Sequence, residues 1–141
     1  MESKFIELAL KSGTKVNREP VWGNYREALL SKSIMLKIIR FYKGGITSIH
    51  KHPTDELVFM ELGEVHVRSG ENPKKLKRRV FGPGGLIYVP AGTWHSTGCS
   101  RTISNELPFA LGVEFQIGKI KGGKYKIDRF KPAKKTVIKL D

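Results

Sequence analysis

The segment at residues 44–63, GGITSIHKHPTDELVFMELG, is the sequence feature that most constrains the fold. His50 and His52 are two residues apart, so their side chains project to the same face of an extended strand. Glu56 has the same parity and joins them if the strand continues or bends smoothly after Pro53. Two imidazoles and one carboxylate on one face form a facial set of ligands for a divalent transition metal. The segment therefore predicts a β-strand that carries part of a metal site.

A second segment at residues 84–96, GGLIYVPAGTWHS, supplies a further histidine, His95. The run Pro90-Ala91-Gly92 is a turn signal. We expect this turn to direct His95 back toward the first segment.

The two segments resemble the paired signature of the cupin superfamily. The first cupin motif, G-x5-H-x-H-x3,4-E-x6-G, is matched by Gly44, His50, His52, Glu56 and Gly63. The second motif, G-x5-P-x-G-x2-H-x3-N, is matched by Gly84, Pro90, Gly92 and His95. Cys99 stands where the second motif ends in asparagine. That position is not usually a metal ligand in the family, so the departure concerns local packing only.

The resemblance implies an all-β fold, an antiparallel double-stranded β-helix known as the cupin jelly-roll barrel. We expect one domain over residues 1–141, with a barrel core at about 33–130, an N-terminal arm at 1–32 and a basic tail at 131–141. Short strands, frequent glycine turns and the lack of a long helical pattern indicate an antiparallel barrel independently of the resemblance. Strands are predicted at residues 33–42, 46–52, 77–81, 86–89, 109–117 and 124–130, and a hairpin around Gly63 at residues 57–68.

The expected metal site holds one divalent ion per chain and leaves one or two positions open. Its ligands are predicted to be His50, His52, Glu56 and His95. Three imidazoles and a carboxylate suit Fe, Mn, Ni, Co or Zn, and the ligands alone do not choose among these metals. The alternative to an open site is an ion with a purely structural role, which only stabilises the barrel. It is disfavoured because closed structural zinc sites usually use thiolates, and Cys99 is the only cysteine. His66 is predicted to face outward.

An open position on the ion lets a substrate oxygen bind and become polarised. Polar residues near the site are then candidates for proton transfer, although the sequence assigns no catalytic base. These candidates are Glu114, Gln116, Tyr88 and Arg40. Trp94, beside His95, either walls the pocket or serves packing.

Cupin proteins include dioxygenases, decarboxylases, sugar isomerases and epimerases, and non-enzymatic binding or sensing domains. We predict a metal-dependent enzyme that binds a small anionic or polyhydroxylated molecule at the His3Glu centre, most simply a dioxygenase. The alternatives are a sugar or sugar-phosphate isomerase or epimerase, and a metal-containing small-molecule binding module. Small cupins often form homodimers, and the apolar strand at 33–42 is a candidate interface.

The net charge of +13 attracts polyanions, including nucleic acid at low salt. The basic clusters at 74–79 and 119–139 carry few aromatic residues, so we expect a solvated surface and only non-specific nucleic-acid binding. No apolar run is long enough to cross a bilayer, and the first residues do not form a signal peptide. One cysteine excludes an intrachain disulfide. We therefore expect a cytoplasmic protein without a membrane partner.

Overall fold

The computed structural model describes residues 11–12, 22–121 and 125–131. Within these ranges the chain forms β-strands and no helix. Their bounds are β1 Lys11–Ser12, β2 Gly23–Ser31, β3 Ile34–Tyr42, β4 His50–Lys51, β5 Asp55–Leu62, β6 Glu64–Gly70, β7 Lys77–Phe81, β8 Leu86–Val89, β9 Trp94–Arg101, β10 Phe109–Ile117 and β11 Asp128–Arg129. Consistent with this, the described part of the chain contains no helix that could span a membrane.

The strands form two sheets, here called sheet A and sheet B, and the strands within each sheet pair antiparallel. Sheet A has the order β1-β2-β3-β10-β5-β8, and sheet B the order β11-β4-β9-β6-β7. From β3 onward the chain passes from one sheet to the other at almost every connection. This arrangement confirms the predicted all-β jelly-roll fold.

The predicted hairpin around Gly63 is wrong. β5 pairs with β10 and β8 in sheet A, whereas β6 pairs with β9 and β7 in sheet B. Gly63 has a φ of 71°, and a Cβ there would lie 2.7 Å from the Arg101 carbonyl oxygen, so the chain turns this corner on a residue without a side chain. Alternating burial along two consecutive strands is expected both for a hairpin and for strands in two facing sheets. The sequence pattern alone therefore does not distinguish these arrangements.

Strand β2 lies in a segment that the sequence analysis assigned to an arm. It pairs with β3 along nearly its whole length. Trp22 and Tyr25 stack with their ring centroids 6.1 Å apart, and both pack against the core. The alternation of apolar and polar residues in this segment is interrupted by Arg26 and Glu27, which hid the strand from the sequence pattern.

The other strand predictions have mixed outcomes. The strands at 77–81, 86–89 and 109–117 are confirmed with the same bounds, and the strand at 33–42 begins one residue later than predicted. The strand predicted at 46–52 is reduced to His50–Lys51. The strand predicted at 124–130 is reduced to Asp128–Arg129, and its residue 124 lies outside the described residues. Most of the predicted arm and all of the tail beyond residue 131 also lie outside them.

The core fills the space between the two sheets at one end of the barrel. The alternation along β5 and β6 predicts one inward face on each strand. On these faces Val58, Met60, Val65 and Val67 are buried in the core, Glu56 is buried outside it, and Leu62 is half-buried. On β10 the inward face carries Gly112, Glu114 and Gln116, while Leu111, Val113 and Phe115 face outward and are half-buried. The barrel interior therefore combines an apolar core with buried polar side chains.

Candidate metal centre

Three histidines converge at the polar end of the barrel interior. His50 on β4 and His95 on β9 are direct cross-strand partners, and His52 follows β4. One ring nitrogen from each lies within 4.8 Å of those from the other two. His50 and His95 lie more than forty positions apart in the sequence, and the fold brings both of them together with His52.

A backbone carbonyl orients each imidazole. The Nδ1 atoms lie 2.7 Å from the Ser48 oxygen for His50, 3.0 Å from the Thr54 oxygen for His52, and 2.9 Å from the Thr93 oxygen for His95. A carbonyl oxygen only accepts hydrogen bonds, so each Nδ1 carries the proton. Each neutral ring then presents the lone pair of Nε2 to the centre, as in histidines that bind metals.

Glu56 faces two of these imidazoles from β5. Its Oε2 atom lies 3.0 Å from His52 Nε2 and 3.2 Å from His95 Nε2. If both rings are neutral with the proton on Nδ1, the lone pair of each Nε2 points at the carboxylate oxygen, and both contacts are repulsive. Two buried imidazolium ions in so small a space would carry a large desolvation penalty. One divalent cation among the four groups removes both problems, so this donor set fits a metal ion.

The ionisation of these groups follows from burial and from their mutual contacts. Burial and the charge of His95 lower the pKa of His50 to about 4. Burial lowers the pKa of His95, but the hydrogen bond and charge of Glu56 outweigh it and raise this pKa overall. Burial works to raise the pKa of Glu56, yet the hydrogen bonds that His52 and His95 donate when protonated at Nε2 hold it well below its ordinary value. Glu56 is therefore a carboxylate.

Thr54 and Gln116 fix the orientation of that carboxylate. Thr54 Oγ1 donates to Gln116 Oε1 at 2.5 Å, and Gln116 Nε2 donates to Glu56 Oε2 at 3.0 Å. The same Thr54 oxygen accepts a hydrogen bond from His52 Nδ1 at 3.0 Å. Thr54 and Gln116 are almost completely buried, so solvent does not compete for these bonds. The chain of donors holds both Glu56 and His52.

A second polar cluster lies beside the histidines. Lys37 Nζ donates to Tyr125 Oη at 2.5 Å and lies 3.9 Å from Glu114 Oε2. The ring of Tyr125 stands edge-on to His52, with centroids 5.4 Å apart. Burial and the charge of Glu56 raise the pKa of Glu114 to about 8, and burial also raises the pKa of Tyr125.

Both clusters border one cavity with a volume of about 170 Å³. Its exposed lining residues are Ser48, Ile127 and Arg129, so the cavity opens to solvent on that side. The remaining lining residues are Trp22, Tyr25, Lys37, Ile39, Phe41, Thr47, His50, His52, Glu56, His95, Thr97, Glu114, Gln116 and Tyr125. The histidines and Glu56 are therefore accessible to a small molecule.

The fold separates the four candidates for proton transfer. Glu114 and Gln116 line the cavity. Tyr88 is 57% exposed on β8, and Arg40 is exposed with its guanidinium 5.1 Å from the Phe109 ring centroid; neither lines the cavity.

Two other residues named in the sequence analysis lie outside the cavity. Trp94 packs against Phe130 and under the Lys51 ammonium. His66 contacts Ser100 Oγ at 2.7 Å, away from the other three histidines.

Sequence reasoning missed Lys37, Thr54 and Tyr125. A signal for Lys37 exists, because it shares strand parity with Met35, Ile39 and Phe41 and is therefore a lysine on an inward apolar face. No comparable local signal marks Thr54 or Tyr125, since their contacts are with residues distant in sequence.

Comparison with known proteins agrees with this architecture. Residues 37–102 match the family model described as Cupin domain, and a search of curated proteins found no match. Oxalate decarboxylase from Bacillus subtilis at pH 4.6 is similar in structure, with a TM-score of 0.64 and 18% sequence identity, over 91% of this chain and 33% of that chain. A tryptophan-to-phenylalanine variant of that enzyme gives a TM-score of 0.65 at 18% identity, over 92% and 34%.

A third similar structure comes from a study of the Mn(II) centres of the same Bacillus subtilis enzyme. It gives a TM-score of 0.62 at 19% identity, over 88% of this chain and 33% of that chain. The present chain thus spans about a third of the length of these enzymes, and at such identities the likeness concerns the fold. The family match at residues 37–102, the shared fold and the histidine cluster together support a cupin domain in this chain.

Proposed function

We propose that this metal-binding cupin is an enzyme that acts on a small anionic molecule at a centre formed by His50, His52, Glu56 and His95. The observation that carries the proposal is that these groups converge on the wall of a cavity open to solvent. An ion with a purely structural role needs no such access. When bound, a divalent ion would supply Lewis-acid polarisation of a ligand oxygen.

The chain's own residues supply positioning and proton transfer. Gln116 and Thr54 hold the Glu56 carboxylate toward the imidazoles. Glu114 borders the cavity with a pKa raised to about 8 by burial and by Glu56, so it can hold a proton near neutral pH. A carboxyl group poised in this range is suited to general acid–base chemistry.

We favour an oxygenase acting on an organic anion over a sugar isomerase. Lys37 and Arg129 border the cavity and favour an anion, while Trp22, Ile39 and Phe41 give it apolar walls. Such walls suit a carbon skeleton better than a polyhydroxylated ring, whose hydroxyl groups would lose hydrogen bonds to water. Manganese and iron are the metals that we would test first, given the Mn(II) centres of a similar structure.

The proposal is tested by metal analysis followed by turnover assays. Protein purified without added metal should contain about one divalent ion per chain, and ion-loaded protein should consume oxygen with a subset of small carboxylates. Turnover without oxygen, with several divalent metals, would instead support an isomerase. Ligand binding without any turnover would support a binding module, and a chain that takes up no divalent metal would contradict the proposal.

We also propose a homodimer formed through the outer face of sheet A. This face exposes apolar side chains that a monomer would leave in water, among them Phe59 at 41%, Tyr88 at 57% and Leu86 at 63% exposure. Light scattering should give twice the 15.9 kDa chain mass, and Leu86→Glu should shift it toward the monomer. A wild-type mass equal to that of one chain would contradict the dimer.

Two further expectations remain proposals. A cytoplasmic location is supported by the single, unpaired Cys99, and cell fractionation tests it. Non-specific nucleic-acid binding is supported by exposed basic residues around β7, namely Lys74, Lys75, Lys77, Arg78 and Arg79. Affinity for mixed-sequence DNA should fall steeply as salt rises.

A further inference from the structure

We propose that Lys37 is the residue that binds the carboxylate of the ligand, so that the cavity selects small organic carboxylates over neutral molecules of the same shape. The inference deepens the proposed function, because the ion at the histidine centre would hold another part of the same ligand. Three features of the barrel interior support it: the incomplete pairing of Lys37, its place beside the histidines, and the charge balance of the cavity.

Lys37 is a buried cation with few partners. Lys37 is only 9% exposed, yet among the described residues its Nζ atom makes one hydrogen bond, to Tyr125 Oη. Glu114 lies 3.9 Å away, which is beyond hydrogen-bond range. An ammonium group has three N–H donors, so two of them remain for a ligand.

The aromatic surroundings of Lys37 hold the ammonium without neutralising it. Its Nζ atom lies 4.8 Å from the ring centroids of both Tyr25 and Tyr125. Such contacts attract the ammonium group and leave its full positive charge in place. Because the rings restrict the side chain, the ammonium is positioned in advance for an anion.

Lys37 lies close enough to the histidines for one small ligand to reach both. Tyr125 connects the two places, since its hydroxyl accepts from Lys37 while its ring contacts the ring of His52. Lys37 and His52 line the same cavity. A molecule spanning about one aromatic ring can therefore contact the ammonium and the histidine centre together.

The charge balance of the cavity favours anions. Lys37 and Arg129 contribute positive charge, and the carboxyl groups of Glu56 and Glu114 contribute negative charge. With both carboxyl groups ionised these four charges cancel, and with Glu114 protonated one positive charge remains, so in either case a bound divalent ion leaves the cavity positive. Electrostatic selection in a partly enclosed cavity is stronger than in bulk water, because the local dielectric constant is lower.

The test compares propionate with propionamide, which have nearly the same shape but differ in charge. Each is titrated into zinc-loaded protein and its binding followed by ligand-observed NMR, for which zinc is diamagnetic. Wild-type protein should bind propionate more tightly than propionamide. Lys37→Met should weaken propionate binding about tenfold or more, as expected for the loss of a hydrogen bond to a charged group.

In the same variant, propionamide binding and zinc content should stay unchanged. Lys43→Met is the matched control, since it removes the same charge from an exposed position that does not line the cavity. It should bind propionate like the wild type. Lys37→Arg, which keeps the cation, should retain a preference for propionate. It is the variant to measure if Lys37→Met does not fold.

Two results would overturn the role of Lys37. The first is a wild type that binds propionate no better than propionamide, which is expected if Lys37 is only the counter-ion of Glu114. The second is Lys37→Met protein that binds propionate as well as the wild type does. Zinc content distinguishes a failure of the role of Lys37 from a failure of the proposed function. A chain that takes up zinc but shows either result keeps its metal centre and loses only the role of Lys37. If the wild type takes up no zinc, the metal centre fails, and the same titrations on metal-free protein still decide the role of Lys37.

Discussion

The two ends of the barrel interior are built by the same strands and yet differ in chemistry. β3, β5, β9 and β10 each place polar side chains at one end and small or apolar ones at the other. The polar end holds Lys37, Glu56, His95, Glu114 and Gln116, and the apolar end holds Ile39, Phe41, Val58, Met60, Cys99 and Ala110. A single strand thus contributes to both the candidate site and the core.

This difference indicates how each end should respond to substitution. At the apolar end stability depends on buried area and packing, which many side chains can share. At the polar end each buried group needs a specific partner, because an unpaired one costs about 1 to 3 kcal/mol. We therefore expect substitutions at the polar end to change metal and ligand binding. Substitutions at the apolar end should change stability alone, except at Ile39 and Phe41, which also line the cavity.

The largest effect is expected for His52→Ala and His95→Ala. Each removes an Nε2 donor that faces Glu56, so metal content should fall from about one ion per chain to near zero. The measurement is metal analysis of folded protein, with circular dichroism to verify folding. His66→Ala is the matched control and should keep full metal content, because His66 lies outside the cluster. Full metal in the two ligand variants would show that the site is wrongly assigned.

The pH dependence of metal uptake sharpens the same comparison. The pKa of His95 is raised above its ordinary value of 6.5 through Glu56, whereas burial lowers that of His50 to about 4. As pH falls, protons should therefore compete with the ion at His95 before they compete at His50. Titration of metal-free protein with zinc should show affinity declining as pH falls through the pKa of His95. An affinity independent of pH between 8 and 5 would contradict this order.

Met60→Ala tests the apolar end. Met60 is completely buried in the core, so the truncation should lower the free energy of unfolding by about 2 to 5 kcal/mol. Urea unfolding provides the measurement. Folded variant protein should keep the metal content of the wild type, because no atom of Met60 lines the cavity. A variant that remains folded but loses its metal would show that the two ends are not separable.

Glu114→Gln tests whether the polar end lowers stability. The pKa of Glu114 is raised from 4.5 to about 8 by burial and by Glu56, so the folded state binds this proton more tightly than the unfolded state. Stability of metal-free wild type should therefore fall as pH rises from about 4.5 to about 8. Glutamine removes this dependence. At pH 8 the variant should be more stable than the wild type by a few kcal/mol, and by less at pH 5. Equal differences at the two pH values, from urea unfolding, would contradict the shift.

Cys99→Ser should have the smallest effect. Cys99 lies in the core, where its thiol is in contact with the backbone of Ala110 and Arg101. A serine hydroxyl can use the same backbone partners, so the loss of stability should be about 1 kcal/mol or less. Metal content should be unchanged, because Cys99 does not belong to the histidine cluster. Loss of metal in this variant would assign the thiol a role at the site.

Local sequence patterns were sufficient for much of the fold and of the histidine cluster. In the sequence, Glu56, Val58 and Met60 are two residues apart and so share one face of a strand, and the structure buries all three. His50 and His52 converge as their spacing predicted, and His95 returns to them after the turn at Pro90. These inferences succeeded because the two-residue period of a strand is a property of the strand itself.

The amino-acid sequence alone therefore determined the strand type, the inward faces of β5 and β6, and the histidines of the candidate centre. Only the tertiary structure decided that β5 and β6 belong to opposite sheets, that β2 extends sheet A, and that Lys37 meets Tyr125 inside the cavity. Each of these features depends on a contact between residues distant along the chain. An alternating pattern specifies which face of a strand is buried but not which strand lies beside it, because any apolar partner of matching parity satisfies the pattern.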